Sequence, residues 1–322
     1  MSGNHIGRMP ENKPYLPRLI ATSVVRGSAQ GDSHGGIFTV DFDRQEAIQH
    51  VDWNTSDIDF TGRGWDRGLR GIEFHNDEIY IAASDELFVY NQDFQIQRSF
   101  RNPYLKHCHE ICKKDNLLFL TSTGYDSILV FNLLQEEFTW GLYIERQYSE
   151  WLLQQFNPHS TEGPGFVNNL HLNMVSIHDS GVYFSGLHTG ALLHFGKDFK
   201  VSEFCSLPAG SHNARPFKDG ILFNDTKSDS VRYVGRNGGD QAFRIRYYPE
   251  EEIQFAGVDD SKIARQGFGR GLCPLSDRFI AGGSSPSTIT VYDLYSSKIV
   301  VSVNLSMDIR NAIHGLEVWP YG

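Results

Sequence analysis

Four histidines and two arginines stand at the head of six similar short runs: Arg70, His109, His171, His212, Arg270 and His314. The runs include Leu69-Arg70-Gly71-Ile72-Glu73-Phe74, His109-Glu110-Ile111-Cys112 and Ile313-His314-Gly315-Leu316. The chain has 13 histidines in 322 residues, so any one position is histidine with a chance of about 0.04 on composition alone. Four at equivalent places point to a site. Neutral imidazoles converging on one point suit a borderline transition metal, with iron, zinc or manganese the leading candidates. The expected ligands are His109, His171, His212 and His314. Arg70 and Arg270 would grip an anionic substrate through their planar forks, with Asn173 supplying an amide contact. The metal would act as a Lewis acid or activate water or dioxygen. Without a metal, the same residues form an anion site in which His212 serves as nucleophile or general acid/base, assisted by Arg70 and Arg270.

Other ionisable residues have plainer readings. Glu73, Glu110 and Glu317 fall inside the same runs, where an unpaired carboxylate is costly. They either orient the histidines or, the reading preferred here, pair with arginines. His107 shares a strand face with His109 and is an alternative ligand. His75, His159 and His178 fall in turns and are expected in solvent, whereas His188, beside a turn, is within reach of the site. Asn168 and Asn169 read first as turn formers. No Gly-rich phosphate loop, nucleophile elbow or HExxH motif occurs.

The elements that would position these residues repeat. Residues 69–100 hold four strands of about five residues, broken by His-Asn-Asp and Asn-Gln-Asp turns, the pattern of a meander. The order recurs at 107–143, 170–207, 212–248 and 269–305. The N-terminal region offers three strands, Leu19–Val25, Ile37–Phe42 and Ala47–Trp53, and the C-terminus a fourth, Ile313–Trp319. Three plus one makes a sixth unit. The expected fold is all-β: a six-bladed β-propeller of one domain, 1–322, closed by a C-terminal strand that completes the N-terminal blade. The first strand of each blade would line the central channel, with the six heads at one mouth. Residues 1–17 form an N-terminal extension. The insertions 54–68 (with Trp65), 144–168 and 249–268 are expected as loops over that mouth, and 145–156 as a short helix.

Composition narrows the function. With 40% hydrophobic and 21% charged residues the chain can bury a core. A formal charge of −10, from 29 Lys+Arg against 39 Asp+Glu, argues against nucleic acid or an anionic membrane as partner. No apolar run reaches the roughly 20 residues of a spanning helix. The first ten residues lack the apolar core of a secretory signal, and the four cysteines form no CxxC pair. A cytoplasmic protein with reduced thiols is the expectation.

The strand-head motifs resemble those of bacterial arylsulfate sulfotransferases, six-bladed propellers with histidines and an arginine at the channel mouth. His109-Glu110-Ile111 looks like their His-Asp-Ile, and His171-Leu172-Asn173 like their His-x-Asn. His212-Asn213-Ala214 followed by Asp219-Gly220-Ile221-Leu222-Phe223 is similar to their His-Asp-Ala and Asn-Gly-Asn block. The resemblance covers about three blades and implies sulfuryl transfer through a histidine whose counterpart is His212. Leu187-His188 stand where that family has its arginine, and His314 is an addition. The layout of channel histidines is also similar to that of peptidylglycine amidating lyases, which hold zinc, and of carotenoid cleavage oxygenases, which hold iron.

The reading that results is a metal-dependent propeller enzyme, a lyase, hydrolase or oxygenase, acting on a small anionic molecule. Metal-free histidine group transfer is the alternative. A non-catalytic propeller that docks a protein or peptide is the third reading, since this scaffold serves many functions.

Overall fold

Apolar runs of four to seven residues, interrupted by Asn, Asp and Gly turns, are too short for packed helices and the right length for strands. The computed structural model describes residues 15–29, 31–54, 68–257 and 265–321. It is 57% strand and 2% helix, with six antiparallel sheets: an all-β, six-bladed β-propeller. Among the described residues no helix is long and apolar enough to cross a membrane. Residues 1–14, all but the ends of 54–68 (Trp65 included) and 258–264 of the 249–268 insertion lie outside the described residues. The strands group into two compact units.

One unit comprises residues 1–69, 218–220 and 224–322. In its first sheet β1 (Leu19–Val25), β2 (Gly36–Asp41) and β3 (Glu46–Asp52) follow in order, and β25 (Asn311–Val318) pairs with β1. The closing strand therefore completes the N-terminal sheet as the repeat requires. Its second sheet runs β21 (Phe268–Pro274), β22 (Phe279–Ser285), β23 (Thr288–Asp293) and β24 (Lys298–Asn304). Leu19, Val40, Ile289, Val291, Ile313 and Leu316 bury against one another between the sheets. Each residue of that size, fully buried, contributes about 1.5–3 kcal/mol.

The other unit comprises residues 70–217 and 221–223. One of its sheets holds β4 (Ile72–His75), β5 (Glu78–Ala83), β6 (Glu86–Tyr90) and β7 (Ile96–Arg101). The next has five strands: β8 (Ile111–Lys114), β9 (Leu117–Ser122), β10 (Ser127–Asn132), β11 (Glu137–Gln147) and β12 (Glu150–Phe156). A third is built from β13 (Leu172–His178), β14 (Gly181–Gly186), β15 (Ala191–Phe195) and β16 (Val201–Ser206). The sixth sheet of the chain is β17 (Ser211–Phe217), β18 (Gly220–Asp225), β19 (Ser230–Gly235) and β20 (Asp240–Arg244). Its first strand belongs to this unit, and β19 and β20 to the other.

The helix expected at 145–156 is not formed. Those residues are the end of β11 and the whole of β12, paired from Gly141↔Phe156 to Gln147↔Glu150 around a left-handed Tyr148. Tertiary packing overrides local propensity here. Ile144 is fully buried, and Trp151 and Leu153 pack on the core shared with the third sheet. Only the later part of the 144–168 insertion, from residue 157, is loop.

The Arg-Gly and His-Gly heads have a common local cause. In β21, Gly269 faces Ser284 and Leu272 faces Gly282, so Arg270 and Gly271 together oppose Gly283. In β25, His314 and Gly315 together oppose Thr22, whose Oγ1 accepts the Gly315 N–H at 2.8 Å. Arg70 and Gly71 share Ala82, and His109 and Glu110 share Thr121. Each is a β-bulge, which bends the strand and re-aims a side chain. Glycine at the second bulge position also permits close approach. A Cβ on Gly71 would lie 2.6 Å from the Ile111 nitrogen, and one on Gly271, at φ +70°, 2.9 Å from the His314 oxygen.

Candidate functional site

Four of the six head residues, Arg70, His109, His171 and His212, belong to the unit of residues 70–217 and 221–223; Arg270 and His314 belong to the other. Within the first group, Gly71 brings the start of β4 against that of β8. Arg70 Nη1 then lies 3.5 Å from both the Cys108 oxygen and His109 Nδ1. His109 Nδ1 is 2.6 Å from the His107 oxygen and 2.8 Å from Thr123 Oγ1. Thr123 Oγ1 itself donates to the Leu172 oxygen. A carbonyl only accepts, so His109 carries its proton on Nδ1 and its lone pair on Nε2. Its ring meets that of His171 edge-on, centroids 5.1 Å apart.

His171 is not at the register of its counterparts. Leu172 faces Gly186 and Met174 faces Ser185, so Leu172 and Asn173 form the bulge of β13. His171 precedes it, in the left-handed region at φ +52°. It is held there by Asp126, whose carboxylate accepts the backbone N–H groups of Asn169 (2.6 Å), Leu170 (3.0 Å) and His171 (3.1 Å). Burial pushes the Asp126 carboxyl up from its ordinary value, and those three donors work against the rise. His171 Nδ1 donates to Asn168 Oδ1 at 3.1 Å, so its Nε2 also carries the lone pair. Asn168, read first as a turn former, is thus a tether. Asp126 carried no sequence signal, because it lies outside the repeat's head motif and acts through backbone amides alone.

His212 follows the same rule. Its Nδ1 donates to the Gly210 oxygen at 3.1 Å, and the residue is 3% exposed. Asn173, next to it on β13, donates through Nδ2 to the Ser211 oxygen at 3.2 Å. Its Oδ1 is buried without a partner among the described residues. An acceptor left in that state is costly, which suits Asn173 to a ligand or a water. In the other unit the arrangement differs: Arg270 Nη1 donates to His314 Nε2 at 2.8 Å.

The loop from residue 157 packs beside this cluster. Asn102 Nδ2 donates to the Pro158 oxygen at 3.1 Å and Tyr104 Oη to the Ser160 oxygen at 2.9 Å. Phe166 then stands edge-on to His107, centroids 5.9 Å apart. Burial first, then the charge of Arg70, lowers the pKa of His107 to about 4 and keeps its imidazole neutral. His188 donates its N–H to the Leu170 oxygen, and His178 stacks edge-on to Tyr183.

Carboxylates follow three of the heads in sequence: Glu73, Glu110 and Glu317. Glu110, 7% exposed, accepts from Asn213 Nδ2 at 3.2 Å and from the Ile111 N–H at 3.3 Å. Burial lifts its carboxyl to about 7, and the charge of Arg215 is the largest opposing influence. Glu73 is raised in the same way, with Lys113 N–H donating to it at 2.7 Å and Arg215 again opposing. The arginine whose charge acts on both carboxylates is Arg215, two residues beyond Asn213 and absent from the head motifs. Glu317, in the other unit, accepts from Cys273 Sγ at 3.7 Å. All four cysteines are free thiols.

Among the described residues no three His, Cys, Asp or Glu side chains gather into a group able to hold a metal ion. The Nε2 lone pairs of His109, His171 and His212 are donors of the right type, but His314 Nε2 already accepts from Arg270. What the cluster does offer is a permanent guanidinium charge beside imidazoles with a common tautomer.

No family model matches the chain, and no curated protein matches its sequence. Among solved structures it is similar to a chain of the nidogen/laminin complex, at 8% identity and TM-score 0.59, over 93% of this chain and 97% of that one. A protein of unknown function from Bacteroides caccae is similar at 11% identity and TM-score 0.56, over 94% and 98%. Virginiamycin B lyase from Staphylococcus aureus is similar at 11% identity, over 87% and 73%, with a TM-score of only 0.45. At these identities the likeness is one of fold.

Proposed function

We propose that the chain is an enzyme that takes a small anionic molecule at Arg70, His109 and His171, with His212 as the imidazole that works on it. The observation that supports this is the shared tether. Nδ1 of each histidine bonds an oxygen, so each turns a basic Nε2 outward from its anchor. Arg70 keeps its charge at any working pH and suits a carboxylate, phosphoryl or sulfuryl group. The imidazoles accept a proton from a substrate hydroxyl or amine, or His212 attacks as a nucleophile. Sulfuryl transfer, implied by the resemblance to arylsulfate sulfotransferases, falls in this class. Asn173 Oδ1 would accept from a donor on the same molecule. Arg270 and His314, engaged with each other, stand outside this reading.

Calorimetric titration of chelator-treated protein with phosphate, sulfate and short carboxylates tests it. Binding by the wild type, weakened at least about tenfold in Arg70→Met, is the expected result. Absence of binding by all three would overturn it. The same tethers give a metal reading some support, because a metal-bound histidine is commonly held through its other nitrogen. Elemental analysis addresses that reading: about one equivalent of iron, zinc or manganese per chain, lost in His109→Ala and His171→Ala, would favour it.

A further inference from the structure

His109, just before β8, and His212, on β17, are far apart in sequence, yet each is followed by a residue that meets the other's follower. Glu110 and Asn213 stand 103 positions apart and share a hydrogen bond in a buried setting. At His109 the bulge makes this possible. Both the His109 and Glu110 N–H groups point at Thr121 Oγ1, at 3.1 and 3.0 Å. The imidazole then reaches Thr123 while the carboxylate runs toward Asn213. Asn213 sits in the left-handed region at φ +54°, a conformation that asparagine tolerates better than most residues.

A buried carboxylate is an expensive way to hold an amide. Glutamine would accept the same bond without charge. The charge of Arg215 acts on both Glu110 and Glu73. Glu73 lies next to β4's first residue, Glu110 just before β8, and Asn213 and Arg215 on β17. These are the strands whose heads carry Arg70, His109 and His212.

We propose that Glu110 is a positioning residue: through Asn213 it fixes the separation and orientation of His109 and His212, so that both imidazoles address one bound molecule. The joint action on one molecule rests on the function proposed above; the positional lock does not. Asn213→Gly is the sharpest variant, since glycine keeps the left-handed backbone and removes only the amide. The readout is the imidazole nitrogen NMR shifts of His109 and His212, with that of His194 as internal control, followed by phosphate titration. Expected are altered shifts at His109 and His212 with His194 unchanged, phosphate binding weakened about tenfold, and wild-type behaviour in Glu110→Gln, which retains an acceptor for Asn213. Should Asn213→Gly fail to fold, Glu110→Ala carries the same measurement. Unchanged His109 and His212 signals in the folded variant would overturn the lock. If the wild type binds none of phosphate, sulfate and short carboxylates but the signals move, the lock stands and the proposed function falls.

Discussion

Arg270 Nη1 donates to His314 Nε2 at 2.8 Å, whereas His109, His171 and His212 each bond an oxygen through Nδ1. The four histidines of the repeat are therefore of two kinds. In three, Nδ1 is the tethered nitrogen, and in the fourth Nε2 accepts from a guanidinium. His314 is 5% exposed, so Arg270→Ala leaves a buried acceptor without its donor. The expected cost is about 1–3 kcal/mol, read as a lowered denaturation midpoint with unchanged slope.

Arg70 lies beside two histidines and a backbone oxygen. Arg70→Met removes a charge-assisted donor worth about 1.5–3 kcal/mol. Calorimetry should show anion affinity falling by about ten- to a hundredfold, and Arg70→Lys should recover only part of it because the planar fork is lost.

The Glu110 carboxyl, at about 7 in the folded protein against an ordinary 4.5, links stability to pH. Below 4.5 both folded and unfolded chains hold the proton, and the carboxyl imposes no penalty. Between 4.5 and 7 the folded chain holds more protons, so stability falls as pH rises and levels off above 7. The full change from this group is on the order of 3 kcal/mol. Denaturation of Glu110→Gln across pH 4.5–8 should show that dependence removed.

His107 works in the opposite sense. Held neutral down to about 4 by burial and by Arg70, it contributes stability that is present above its ordinary 6.5 and lost as pH falls toward 4. Its ring proton signals should titrate near 4 in the wild type and somewhat higher in Arg70→Met, where burial, the larger cause, remains. An unchanged midpoint in the variant would show that Arg70 has no part in it.

Asp126 gathers three consecutive N–H groups under His171. Asp126→Ala should cost about 2–4 kcal/mol. It should also raise hydrogen exchange at Asn169, Leu170 and His171 selectively, and weaken anion binding through His171.

The six sheets were legible because the repeat writes each strand as an apolar run and each turn as Asn, Asp or Gly. Closure by Ile313–Trp319 was legible for the same reason. Residues 145–156 misled because Glu, Gln and Leu suit a helix; a left-handed Tyr148 and the burial of Ile144 decide for a hairpin, and neither shows in local composition. Arg70, Arg270 and His314 could be aligned by their Arg-Gly and His-Gly motifs, and His109 more loosely. His171 was one residue out of register because its position is set by Asp126, 45 residues earlier. Arg215 escaped notice because its role depends on two carboxylates from other strands. Long-range polar partners leave no periodic mark.

The sheet formed by β1, β2, β3 and β25 has a consequence for biosynthesis. Gly315 bonds Thr22 across 293 positions, so during translation β1 waits with one side unpaired until β25 has been made. An unpaired strand invites the wrong neighbour. A ribosome-stalled chain ending before Asn311 would expose that edge, and a chaperone that captures nascent strands would find its target there. Joining the strand Asn311–Val318 ahead of Leu19 by circular permutation would let the sheet assemble as it leaves the ribosome.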